Sequence, residues 1–312
     1  MTTEITRASI VEAADRIGPH VRRTPILDLG HVVDGRYRLS LKLDSMQPTG
    51  SFKVRGAFSA LTAIAKPNEG VAAASGGNFG LAVAYAAAGL GHRATVFVPA
   101  TSPEEKVGRI AAYGAEVRVV PGYYPDALEE SRRWVASSGA HEVHAFDQPE
   151  VVAGQGTCGR EIMDQIPEVT TILVAVGGGG LIGGIASWVR GAANVVAVEP
   201  EQCPTMHAAR QAGRPVDVCV GGVAASALGA SRLGDLSWAA TRWIEQSLLV
   251  SDEAILESQR WLWETCRVLA EPAGCAPIAA LITGAYAPEP GERVVALISG
   301  ANTTALSPQP TN

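Results

Sequence analysis

Short apolar runs in this chain alternate with alanine-rich stretches of helical spacing, and that alternation limits the possible folds more than any other feature. Strands are predicted near 38–44 (RLSLKLD), 70–75 (GVAAAS), 93–99, 116–120, 141–147, 170–176, 194–199 and 293–299, with helices between most of them. Such a pattern describes parallel sheets covered by helices, and so many strands in one chain divide into two cores. Residues 9–17 (SIVEAADRI) repeat apolar positions at helical spacing, and Arg22-Arg23-Thr24-Pro25 ends the pattern in an extended segment. The tail SPQPTN is expected to be loose.

Composition narrows the function classes. The chain of 312 residues is 47% hydrophobic and 18% charged, enough for one large or two modest globular cores. No apolar run approaches a bilayer span, and the N-terminal stretch lacks the order of a signal peptide, so a cytoplasmic protein without membrane partners is expected. A net charge of −6 with 5% aromatics and no basic tract speaks against a nucleic-acid surface and for a small-molecule partner. The 5 cysteines form no CxxC pair and no metal-ligand spacing, which predicts reduced thiols.

In parallel sheets ligands bind at loops leaving the carboxyl ends of strands. Three such loops stand out: Ser75-Gly76-Gly77-Asn78-Phe79-Gly80, Gly177-Gly178-Gly179-Gly180 and Ser299-Gly300-Ala301-Asn302. Four glycines between a strand and a helix starting near Leu181 leave backbone N–H groups free of side chains, an anion cradle suited to phosphate. The same stretch has a rival reading. Gly178, Gly180 and Gly183 fit G-x-G-x-x-G, with Glu199 ending the next strand where a ribose-binding acid belongs, as in a non-catalytic dinucleotide-binding protein.

A separate segment, QPTGSFKVRGA over 47–57, places Lys53 in the first turn of a helix, with Ser51 as its expected cap. There the helix dipole and any burial both disfavour the ammonium form and favour a nucleophilic neutral amine. The dinucleotide reading leaves Lys53 and the Asn78 loop without roles, whereas a phosphate-bearing aldehyde cofactor uses all three features. No G-x-S-x-G is present, and the 6 histidines are scattered away from serine or cysteine nucleophile settings.

TGSFKVRGA, SGGNFG, AFDQPEVVAGQGTCGREI, VGGGGL, EPAGCAPIAAL and ISGAN, in this order, resemble the fold-type-II pyridoxal-phosphate enzymes, within them the serine/threonine dehydratase and serine racemase branch. The resemblance implies the two-domain architecture of tryptophan synthase β type, with the cofactor, pyridoxal 5′-phosphate, in the interdomain cleft. The larger domain would take residues 1–65 and 146–312, the smaller residues 66–145. It further implies that Lys53 is the Schiff-base lysine, with Phe52 beside the cofactor. Gly177, Gly178, Gly179, Gly180 and Leu181 would hold the phosphate, Asn78 the ring hydroxyl, and Ser299 would face the ring nitrogen. Ser75, Gly76, Gly77 and Asn78 would receive the amino-acid carboxylate.

The implied activity is β-elimination from a β-hydroxy L-amino acid such as L-threonine or L-serine, giving a 2-oxo acid and ammonia, in a homodimer. Racemisation and β-replacement of the cysteine-synthase kind are the alternatives. The latter is disfavoured because Lys53-Val54-Arg55 and GGGG stand where those enzymes carry K-D-R and GTGGT.

Three departures from the family pattern bear on function. Cys203 and Thr205 follow Glu199 where an E-x-x-x-A-x-D metal set is common, so no tight divalent-metal site is expected. Phe79 replaces a histidine. Gly76 replaces the serine that serves racemases as acid/base on the face opposite the lysine. Asp44 stands where glutamate is more usual, and the chain stops soon after the last strand motif, which leaves no regulatory module expected.

Overall fold

The computed structural model of the protein describes residues 4–32, 35–65 and 67–303; the tail SPQPTN lies outside them. In chain order the strands are β1 (Ile26–Val32), β2 (Tyr37–Lys42), β3 (Val71–Ala74), β4 (Ala94–Pro99), β5 (Glu116–Val120), β6 (His141–Glu142), β7 (Thr171–Ala175), β8 (Asn194–Pro200), β9 (Gln246–Val250) and β10 (Arg293–Leu297). The helices of the first half are α1 (Arg7–Ile17), α2 (Lys53–Thr62), α3 (Asn78–Leu90), α4 (Glu104–Ala112), α5 (Tyr124–Ser138) and α6 (Pro149–Gln165). Those of the second half are α7 (Gly180–Val189), α8 (Thr205–Ala212), α9 (Ala225–Leu228), α10 (Asp235–Ala239), α11 (Asp252–Cys266) and α12 (Pro272–Ile282).

Two sheets result. One has the order β1-β2-β10-β7-β8-β9 and the other β5-β4-β3-β6, and every pairing is parallel except the antiparallel edge β1 with β2. Strand β7 shows how the larger sheet is cored on both sides: Leu173 and Ala175 face α11 and α12, while Ile172 and Val174 face α6 and α7. The smaller sheet buries Val71, Ala73, Val96 and Val98 against α2 and α3, and Ala72, Ala74 and Phe97 against α5. Helix α2 thus contributes to the smaller sheet's core through Val54, Phe58 and Leu61, in the same cluster as Val151 of α6.

Two strands escape the sequence pattern. β1 is a half-exposed edge interrupted at Gly30, and β9 is only partly buried, so neither has a strong apolar run. The strand predicted over 141–147 stops at Glu142. His144 turns the chain there: its N–H donates to Gln148 Oε1 (2.9 Å), and its Nδ1 accepts from the N–H of Asp147 (3.0 Å). Ser51 does not cap α2. It pairs in extended conformation with Gly300, Phe52 occupies the cap position, and the Ser51 hydroxyl is buried without a partner.

Candidate active site

The three loops singled out above leave the ends of β3, β7 and β10 and meet at one cleft between the sheets. Its wall contains Phe52, Lys53, Asn78, residues 177–181, Glu271 and Ser299, around an empty volume of about 520 Å³ counted out to open solvent. Ser75, Gly77 and Asn78 line its outward continuation, whereas Gly76 lines neither part.

Lys53 is the first residue of α2, and its Nζ donates to the carbonyl of Ala145 (3.0 Å). The amine also lies 5.1 Å from the ring centre of Phe52 and 5.5 Å from that of Phe79. Apolar surroundings desolvate it and bring its pKa down to about 8, the negative charge of Glu271 opposing the fall. A pKa this close to neutrality gives the amine a neutral fraction that an ordinary lysine lacks, as a nucleophilic or basic lysine requires.

Across the cleft, the N–H groups of Gly178, Gly179, Gly180 and Leu181 meet no acceptor among the described residues. Gly179 has φ +87°, a backbone conformation that favours glycine, and it turns these donors inward at the start of α7. A Cβ on Gly178 would overlap the ring of Phe146. The buried side chain of Gln155, 1% exposed, lines the same cleft with neither its Nε2 nor its Oε1 bonded. Unmet donors lining a cleft suit an anionic ligand.

Asn78, the first residue of α3, is held by two side chains. Its Nδ2 donates to Glu271 Oε1 (2.6 Å), and its Oδ1 accepts from Asn302 Nδ2 (2.9 Å). Asn302 is tied in turn to Thr49 O (2.7 Å) and Arg109 (3.0 Å), which links α4 to the cleft. One hydrogen of Nδ2 stays available to a ligand. Glu271 is 4% exposed, and burial pushes its carboxyl up to about 7. Sequence reasoning quoted its motif and gave it no role, as it also did for Gln155. A glutamate capping a helix that starts with Pro272 was the available signal.

Asp44 lies outside the cleft. It is fully buried and accepts two bonds from Arg55 (2.7 and 2.9 Å) and one from Thr24 (2.9 Å), and the Arg55 guanidinium holds its carboxyl below the usual range against desolvation. Glu199 is likewise removed from the cleft. Its carboxylate accepts from Met206 N (2.7 Å), His207 N (2.8 Å), Ser247 Oγ (2.9 Å) and Thr205 Oγ1 (3.2 Å). Internal donors thus surround it where the family pattern places a cation, and no group of three His, Cys, Asp or Glu side chains suited to a metal occurs among the described residues.

A lysine at a helix start facing a glycine cradle across an interdomain cleft coincides with a match over residues 17–300 to the family of pyridoxal-phosphate dependent enzymes. The chain belongs to this family. An L-threonine ammonia-lyase of Geobacter sulfurreducens is 35% identical over 302 residues, 94% of this chain and 74% of that protein. Among solved structures, a threonine deaminase whose source is given as T.th. is 35% identical with a TM-score of 0.88, over 96% of this chain and 98% of that one. Maize serine racemase is 29% identical with a TM-score of 0.89, over 98% and 95%. The open N–H groups of the cradle, the orphaned Gln155 amide and the desolvated Lys53 fit the family's cofactor, whereas a dinucleotide site would leave Lys53 and Asn78 unused.

Proposed function

We propose that this protein is a pyridoxal-phosphate-dependent ammonia-lyase that removes the β-hydroxyl of L-threonine or L-serine type substrates, releasing a 2-oxo acid and ammonia. The observation that carries this reading is the Lys53 amine, desolvated so that its pKa falls to about 8, in one cleft with the unmet N–H groups of residues 178–181. When bound, the cofactor supplies an electron sink for the α-carbon. Residues 178–181 would hold its phosphate through their N–H groups, Phe52 would pack beside it, the free hydrogen of Asn78 Nδ2 would meet the ring hydroxyl, and Ser299 would face the ring nitrogen. There a neutral hydroxyl would support a weaker electron sink than a carboxylate would.

Lys53 Nζ would anchor the cofactor, and the same amine would take the α-proton of the substrate. Ser75, Gly77 and Asn78 receive the substrate carboxylate, and the small domain that carries this loop closes on the substrate. The protein works as a homodimer in the cytoplasm and needs no divalent cation at Glu199, whose oxygens are already occupied. No helix among the described residues is long and apolar enough to cross a membrane.

The purified protein is expected to show a visible absorption band that borohydride abolishes, with mass added at Lys53; a colourless protein binding a dinucleotide would overturn the reading. Gly178→Val should weaken cofactor retention, because the new side chain meets the Phe146 ring and blocks the cradle; unchanged retention by absorbance after dialysis would remove the cradle role. Elimination rather than racemisation follows from the second face of the α-carbon. Gly76 has no side chain to serve it, and the space a Cβ would take is filled by the Ser102 hydroxyl. With L-serine in deuterated water, chiral chromatography should find D-serine forming far more slowly than pyruvate.

A further inference from the structure

The outward part of the cleft specifies what the substrate carries at its β-carbon. Lys53 and the Ser75, Gly77 and Asn78 loop both line this hollow. A substrate with its amine toward Lys53 and its carboxylate on that loop can direct its side chain only to the remaining wall. That wall is made of the rings of Phe79, Phe146 and Tyr124 and the methyl groups of Ala225, Ala227 and Ala230. Its polar side-chain groups are neutral, the phenol of Tyr124 and the hydroxyl of Ser226, and among the described residues Lys53 is the only cationic one lining the hollow.

Basic groups behind the wall are already committed. Arg132, whose charge reaches the Tyr124 phenol, is paired with Glu142 (3.1 Å). His144 stacks edge-on against Phe146 at 4.8 Å and uses Nδ1 to accept the N–H of Asp147 (3.0 Å), which requires that nitrogen unprotonated. A second carboxylate on the substrate would therefore meet no cation on this wall and only two neutral hydroxyl donors, whereas an alkyl group would be buried among apolar atoms.

We infer that the pocket selects β-hydroxy amino acids with an uncharged, apolar β-substituent, methyl or larger, and rejects 3-hydroxyaspartate, with Tyr124 as the specificity-determining residue. This deepens the elimination proposed above and rests on it for the orientation of the substrate.

The test separates the two. L-2-Aminobutyrate and L-aspartate are the threonine and 3-hydroxyaspartate skeletons without the leaving hydroxyl, so their binding to the cofactor-loaded enzyme can be read by calorimetry without turnover. L-2-Aminobutyrate should bind at least tenfold more tightly than L-aspartate, and Tyr124→Arg or Ala225→Arg should reverse or abolish that ratio by placing a cation on the wall. Among substrates, kcat/KM for L-threonine should exceed that for L-serine about fourfold or more, the worth of one buried methyl group. Equal binding of the two analogues, or an unchanged ratio in whichever arginine variant folds, would overturn the inference. So would failure of both analogues to bind at millimolar concentration. A tenfold ratio without release of any 2-oxo acid from threonine would instead sink the elimination reading and leave the apolar pocket standing.

Discussion

Lys53 and Arg55 lie two residues apart on α2, and the protein treats their charges in opposite ways. Arg55 is fully buried and is met by Asp44 at 2.7 and 2.9 Å, by Glu161 at 2.7 and 2.8 Å and by Thr157 at 3.1 Å. Lys42 joins the same cluster through Glu161 (2.8 Å), Gln165 (2.8 Å) and the carbonyl of Thr24 (2.8 Å). The carboxylates hold Arg55 firmly protonated despite its burial. Lys53 has one carbonyl for a partner and only the distant pull of Glu271, so desolvation prevails and its pKa falls to about 8. Burial alone therefore does not make a cation reactive. The saturated cluster fixes α2 on α6, and that fixed helix presents an under-partnered amine to the cleft.

Breaking the reactive half should have the largest effect. Lys53→Ala removes the cofactor anchor and the base together, so turnover of L-threonine should fall by at least the ~10² to 10⁴ typical of a general base. The variant should also lose borohydride-reducible attachment of the cofactor, and turnover with that attachment intact would refute the assignment. Because burial disfavours the charged amine, its loss should not lower the urea midpoint of the cofactor-stripped protein.

Arg55→Met inverts that outcome. It strands Asp44, which has no exposed surface, and removing one partner of a buried ion pair costs about 3–5 kcal/mol. Chemical denaturation should report this loss, while the fraction that remains folded keeps its visible band and its Lys53 adduct. A loss under about 1 kcal/mol, the scale of an exposed pair, would mean that the Asp44 cluster does not anchor α2.

What the sequence made legible follows the same division. Buried strands such as β7 and β8, the Lys53 helix start and the glycine loop each carry local signals: a continuous apolar run, a turn followed by helical periodicity, four glycines. Residues whose importance comes from partners far along the chain carried none. Arg55 meets both Asp44 and Glu161 only after α2 packs on α6, and Glu271 reaches Asn78 only across the two sheets. The misplaced end of β6 is of this kind too, since His144 and Gln148 divert a run that reads locally as a strand. Ser51 is the converse, a strong local cap signal overridden by its pairing with Gly300.

The smallest of the three effects concerns Glu271, the one carboxylate among the described residues whose charge reaches Lys53. Burial raises its carboxyl from 4.5 to about 7, so the folded protein binds this proton more tightly than the unfolded chain. The resulting stabilisation is fully present below pH 4.5 and is lost as pH rises through about 7, amounting to about 3 kcal/mol across that window at ~1.4 kcal/mol per pKa unit. Glu271→Gln keeps an oxygen for Asn78 and removes the titration. Urea midpoints of the cofactor-stripped proteins at about pH 5 and about pH 7.5, either side of most of that window, should therefore diverge, the wild type losing stability over the interval and the variant losing less. Without the negative charge that opposes desolvation, the Lys53 pKa should also drop below about 8, so its reaction with an aldehyde probe should reach half-maximum at lower pH in the variant. Identical pH slopes in both proteins would show that Glu271 is charged throughout, and that a second saturated network, rather than an open one, surrounds the lysine.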